Sequence, residues 1–140
     1  MDKINSRLFI GSVDDLKEWE SLDGIDFHLN LSSWTDSQLA HEKSYTHISI
    51  EDGAAEYWDF KQAVDVLVDR LENTEDTILV NCAAGISRSV SVLATSLAVT
   101  QGLSMVEAKN QVQEKRGVHQ NPHPSLISRG EKYLRQRRDN

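Results

Sequence analysis

The sequence predicts an α/β domain whose ligand site lies beyond the carboxyl end of a central strand, and three observations point there. Apolar runs of strand length alternate with segments of helical spacing. Residues 77–101, TILVNCAAGISRSVSVLATSLAVTQ, read as a buried strand, a tight loop and a helix in immediate succession. No repeat, low-complexity tract or long linker interrupts the 140 residues, so a single domain, residues 1–140, is expected.

Taken from the start, residues 7–12 (RLFIGS) read as a strand and residues 13–20 as a helix with Asp14 and Asp15 in its first turn. Residues 25–31 form a second strand, residues 32–45 a polar loop, and residues 46–50 a strand ending at acidic residues. Over residues 57–71, Phe60, Ala63, Val64, Leu67, Val68 and Leu71 recur at helical spacing on one face. Ile78, Leu79 and Val80 supply the central strand. Beyond the loop, Val92, Leu93, Leu97 and Val99 over Ala94 and Ala98 fit a largely buried helix. A helix over residues 104–115 opens with Ser104 and Glu107 spaced as a capping box, and a last helix runs from about residue 125 to 137.

The central loop holds the chemistry. Cys82 begins it and Arg88 ends it, with five residues between, in the order CAAGISR. The successive amides of Ala83, Ala84, Gly85, Ile86, Ser87 and Arg88 can curl into a nest around a tetrahedral dianion, and Gly85 permits the left-handed turn this needs. The following helix adds free N–H groups and the positive end of its dipole. Arg88 supplies a planar fork for two phosphate oxygens and follows their flattening in the transition state. The same positive surroundings favour a thiolate at Cys82, a nucleophile aimed at phosphorus. A cysteinyl-phosphate intermediate breaks down only if sulfur leaves, which a hydroxyl close to it assists; Ser89 is placed for that, with Ser87 as substitute. The leaving oxygen needs a proton from an upstream Asp or Glu.

CAAGISRS resembles the Cys-x5-Arg-Ser/Thr signature of the protein tyrosine phosphatase superfamily, and nearly the whole chain looks like a compact dual-specificity phosphatase catalytic domain. The resemblance implies a single-domain protein-tyrosine-phosphatase-like fold, with a central, mostly parallel sheet flanked by helices and a phosphate loop between strand and helix. RLFIGS resembles that family's opening strand, GIDFHLNLS its second, and residues 48–53 its general-acid loop, which makes Asp52 the implied acid. Residues 102–117 and the Asn121 segment resemble its C-terminal helices and the asparagine that buttresses the loop. One departure stands out. Asn81 occupies the place of the histidine that precedes the cysteine in the family, and asparagine hydrogen-bonds but carries no positive charge.

From the residues alone, Glu51 and Asp59 remain alternatives to Asp52, which could equally be a turn or cap residue. Asn121, before Pro122, could start a turn. A cysteine by itself is more often inert and buried, but cysteine, glycine, arginine and serine at these positions between an apolar strand and an apolar helix favour catalysis. Trp34 and Trp58 read as packing or loop residues that could border the cleft. The histidines at 28, 41, 47, 119 and 123 lack metal-ligand spacing, so no metal and no cofactor is expected.

Composition bounds the partners. A net charge of −7 argues against a general nucleic-acid or anionic-membrane surface; the cluster of Arg135, Arg137 and Arg138 reads as a solvated helix end complementing the dipole, with a docking patch as the minority reading. No apolar run approaches about 18 residues and no signal sequence opens the chain, so a cytoplasmic, unanchored monomer is expected. The single cysteine excludes an intrachain disulfide. Ala83, Ala84, Ile86 and Ser87 bring no charge into the loop, whereas members of the resembled family acting on polyphosphorylated substrates usually add lysines or a histidine there, so the resemblance favours phosphomonoesters on protein side chains. By resemblance a shallow cleft accepts phosphotyrosine and phosphoserine or phosphothreonine. Two other classes remain: a phosphate-binding module of low turnover, suggested by Asn81, and a rhodanese-like sulfurtransferase, against which the x5 spacing speaks.

Overall fold

In the computed structural model, residues 1–16, 24–34, 44–51, 56–84 and 86–138 are described. Their strands are β1 (Asp2–Lys3), β2 (Leu8–Gly11), β3 (Phe27–Asn30), β4 (Ser44–His47) and β5 (Ile78–Asn81), in the sheet order β1-β2-β5-β3-β4. Only β1 runs antiparallel, against β2; β2, β5, β3 and β4 are mutually parallel. The last strand in sequence thus lies at the centre. Every residue of β3 and β5 is buried, the pattern of strands covered on both faces.

The helices are a single turn α1 (Val13–Leu16), then α2 (Tyr57–Asn73), α3 (Arg88–Gln101), α4 (Met105–Arg116) and α5 (Pro124–Arg138). Helix α3 is the hub, packed on β5 and against α2, α4 and α5. Residues 89 to 98 of it are all buried, so its sequence is apolar or small all round rather than striped. Ser91, Thr95, Ser96 and Thr100 return their hydroxyls to main-chain carbonyls one turn back, which lets polar residues sit inside. Gly130 on α5 lets that helix close on α3 and α4; a Cβ there would lie 2.6 Å from Thr95 Oγ1 and 2.7 Å from Met105 Cε.

The sheet's two faces differ. Ile78 and Val80 join the main core with Phe27, Leu29 and the helices, whereas Leu79 points to the other side, into a smaller cluster with Ile25, Phe9, Trp34 and Tyr45. On that second face the register aligns Phe9, Leu79, His28 and Tyr45 in one row, and Gly11, Asn81, Asn30 and His47 in the next, at the carboxyl edge. This second row is the polar floor beneath the loop.

The mostly parallel sheet, α2, α3 and the capping box of α4 agree with the sequence reading; Ser104 Oγ accepts from Glu107 N–H and Glu107 Oε1 accepts from Ser104 N–H, each at 3.1 Å. β1 was not expected. The strand expected at residues 46–50 lies instead at Ser44–His47, which takes Ser44 and Tyr45 out of the expected loop. β3 ends at Asn30, so the ladder runs out there, and Ile48 and Ile50 continue it with single bonds to the carbonyls of Asn30 and Leu31. Helix α1 begins at Val13 as expected; its predicted continuation lies outside the described residues.

Candidate active site

Cys82 follows β5 directly and is 2% exposed. Its Sγ accepts the main-chain N–H of Ser89 at 3.4 Å, which sets the sulfur against the first turn of α3, where the helix dipole favours negative charge. Ser89 therefore reaches the sulfur through its amide. Its hydroxyl, also buried, has no hydrogen-bond partner among the described residues.

Arg88 opens α3 and donates from Nη1 to the carbonyl of Ile50 at 2.9 Å, tying the loop to the segment that precedes Asp52. Its Nε is buried without a partner. Arg88 Nε and Ser89 Oγ are thus two buried donors left open among the described residues at the start of α3, where buried donors are otherwise almost always paired.

Outside contacts fix the loop's main chain. The carbonyl of Ala83 accepts from Val13 N–H at 3.0 Å, that of Ala84 from Arg116 Nη2 at 3.0 Å, and Ser87 Oγ accepts the N–H of His123 at 2.9 Å. Since a trans peptide points its C=O and N–H in opposite directions, pinning the Ala83 carbonyl toward α1 turns the amide of Ala84 away from it. Ala83 and Ala84 are exposed, while Ile86 and Ser87 are half-buried. Gly85 and Asp52 lie outside the described residues. Of the alternative acids, Glu51 is exposed and Asp59 stands in the first turn of α2.

Asn121 does not contact the loop through any described hydrogen bond. Exposed, it turns toward α4, where its Oδ1 accepts from Lys109 Nζ at 3.2 Å and Gln113 Nε2 at 3.3 Å. Arg116 bears on the loop instead, its guanidinium also held by Asp2 at 2.8 Å. Nothing local in the sequence singles out that arginine.

Asn81 is fully buried. Its Oδ1 accepts from His28 Nε2 at 2.5 Å and its Nδ2 donates to Asn30 Oδ1 at 3.0 Å. Burial, against the hydrogen bond with Asn81 and with the nearby His47 adding to it, lowers the His28 pKa to about 4, so the imidazole is neutral near pH 7. The sequence held one signal for this residue: His28 and Asn30, two apart in a strand, share a face that must then be polar.

A cysteine at the end of a central parallel strand, beneath a helix that opens on arginine, is the layout of the protein tyrosine phosphatase superfamily. Residues 8–129 match the family described as "Dual specificity phosphatase, catalytic domain", and the chain belongs to that family. It is 30% identical over 116 residues to human dual specificity protein phosphatase 2, a match covering 79% of this chain and 36% of that protein, so the chain spans about a third of the length of the curated relatives it matches. Among solved structures it resembles human DUSP28 (TM-score 0.84, 22% identity, 99% of each chain). It also resembles human tyrosine phosphatase-like serine/threonine/tyrosine-interacting protein (TM-score 0.81, 21% identity, 96% of this chain and 95% of that one).

Proposed function

We propose that this chain is a cysteine-dependent phosphatase that hydrolyses phosphomonoesters on protein side chains, phosphotyrosine and phosphoserine or phosphothreonine. Attack of the Cys82 thiolate forms an S–P bond as the bond from phosphorus to the leaving oxygen breaks, and Asp52 gives that oxygen its proton. Water, deprotonated by the same carboxylate, then displaces sulfur and releases inorganic phosphate. Arg88 and the amides from Ala83 to Arg88 hold the transferring group, and Ser89 Oγ donates to sulfur as it leaves.

The observation that supports this reading best is the pair of buried groups without a partner among the described residues, Arg88 Nε and Ser89 Oγ, at the start of the helix whose Ser89 amide donates to Cys82 Sγ. An uncharged loop wall suits one phosphate. A second reading, a phosphate-binding module of low turnover, is favoured by Asn81, which brings no charge next to the thiol.

Hydrolysis of para-nitrophenyl phosphate in EDTA across pH 5 to 8 separates the two. Turnover by the wild type, lost in Cys82→Ser while orthovanadate still raises the melting temperature, is the expected result. Vanadate binding without turnover in either protein would leave the binding module.

A further inference from the structure

The polar floor of the loop contains a histidine for which the phosphate chemistry has no use. His28, Asn30 and Asn81 are all 0% exposed, on the face of the sheet that otherwise gathers Leu79, Ile25 and Phe9. An apolar residue at position 28 would fill that place without a polar group to satisfy.

The hydrogen bonds there have only one consistent polarity, and the main chain sets it. Ser32 N–H can only donate, and it meets the Asn30 carboxamide at 3.0 Å; the other end of that amide meets the carbonyl of Trp34, which can only accept, at 2.6 Å. Asn30 is thereby oriented with Oδ1 toward Ser32 and Asn81. Asn81 must turn its NH2 to that oxygen, at 3.0 Å, which leaves its own Oδ1 facing His28. His28 must then carry its proton on Nε2 and donate. Consistently, Nδ1 has no hydrogen-bond partner among the described residues. The main-chain carbonyl of Asn81 is held as well, by Leu31 N–H at 2.8 Å. Asn81 is the residue before Cys82.

We infer that His28 is a positioning residue, whose Nε2–H clamps the Asn81 carboxamide and, through it, the strand end that aims Cys82. The inference rests on the phosphatase reading for its consequence in turnover, but the clamp itself can be read from the thiol alone. His28 stands on the strand next to that of Asn81, where it acts as a neutral hydrogen-bond donor.

The test compares His28→Gln, whose Nε2 can still donate to Asn81, with His28→Leu, which cannot, and with His28→Asn, which is too short to reach. Two readouts are used: para-nitrophenyl phosphate kinetics, and the rate of Cys82 alkylation by iodoacetamide as a function of pH. His28→Leu and His28→Asn are expected to lose roughly tenfold or more in kcat with little change in KM and to shift the alkylation profile, as a displaced nucleophile does. His28→Gln is expected to stay within about threefold of wild type on both. In an Asn81→Ala background, His28→Leu should have no further effect, since the clamp is already broken. Wild-type kinetics and alkylation in folded His28→Leu would overturn the inference, as would a His28→Gln as impaired as His28→Asn. If His28→Leu does not fold, the Gln and Asn pair decides. If the wild type does not turn over, the phosphatase reading fails and the alkylation profiles still decide the clamp.

Discussion

The loop from Cys82 to Ser89, whose Ala83 and Ala84 are exposed, and the buried floor beneath it, built by Asn81, Asn30, Ser32 and His28, treat their polar donors differently. In the loop, Arg88 Nε and Ser89 Oγ have no partner among the described residues. In the floor, Asn30 Oδ1 accepts from three donors, and its NH2 serves both Trp34 and Tyr45. Open donors mark where a ligand is taken up, and paired carboxamides mark what must not move while it happens; His28 Nδ1, the floor's open atom among the described residues, is an acceptor lone pair in the Nε2–H tautomer. Substitutions in the loop should therefore cost activity with little stability, whereas those in the floor should cost stability as well.

The largest effect is expected in the loop. Arg88→Lys removes the fork and its unused Nε but disturbs only one described hydrogen bond, to Ile50. It should reduce kcat/KM for para-nitrophenyl phosphate by about 3 to 4 kcal/mol in activation free energy. Urea denaturation should move by less than about 1 kcal/mol. A large loss of stability with a small loss of rate would put Arg88 in the floor's class and break the contrast.

The two layers were also unequally legible in the sequence. The loop could be read because strand, cysteine, glycine turn, arginine and helix are contiguous, so local rules of pattern and dipole suffice; the α4 cap followed for the same reason. The floor could not. His28 meets Asn81 only because β5, last in sequence, inserts between β2 and β3, and a partnership between residues 53 apart depends on strand order rather than on local pattern. Arg116 reaches Ala84 by the packing of α4, and Asn121 turns away from the loop because Gln113 and Lys109 on α4 draw its oxygen. The strand at β4 was misplaced because the apolar Ile48 and Ile50 suggested the ladder, whereas its length is set by where β3 stops. Asp52 lies outside the described residues.

A substitution in the floor should bring the loss of stability that the first lacks. Asn30→Ala leaves Asn81 Nδ2 and the Ser32 amide without an acceptor in a dry site, and should lower the free energy of unfolding by about 3 kcal/mol. The fraction that remains folded should still bind vanadate, because no atom of Asn30 touches the loop in any described bond. A loss below about 1 kcal/mol, measured in urea, would mean that the floor is not what holds the strand end.

The finest contrast is in pH. His28 is neutral when folded, its pKa lowered to about 4 chiefly by burial, with His47 opposing protonation and the Asn81 hydrogen bond acting the other way; in the unfolded chain it returns to about 6.5. Around it stand Asn81 and Leu79 on β5 and Tyr45 and His47 on β4, none of them a carboxylate that could neutralise an imidazolium. Between these two values the unfolded state binds the proton that the folded state refuses, so stability falls as pH drops from about 6.5 and stops falling through this group below about 4. The loss between pH 7.5 and pH 5 should be about 2 kcal/mol. Urea denaturation of wild type and His28→Gln at both pH values isolates it: the wild type should lose that increment over and above the loss in the glutamine variant, which has no proton to take up. Parallel losses in the two would show that His28 protonates in place and that the floor is less dry than its hydrogen bonds imply.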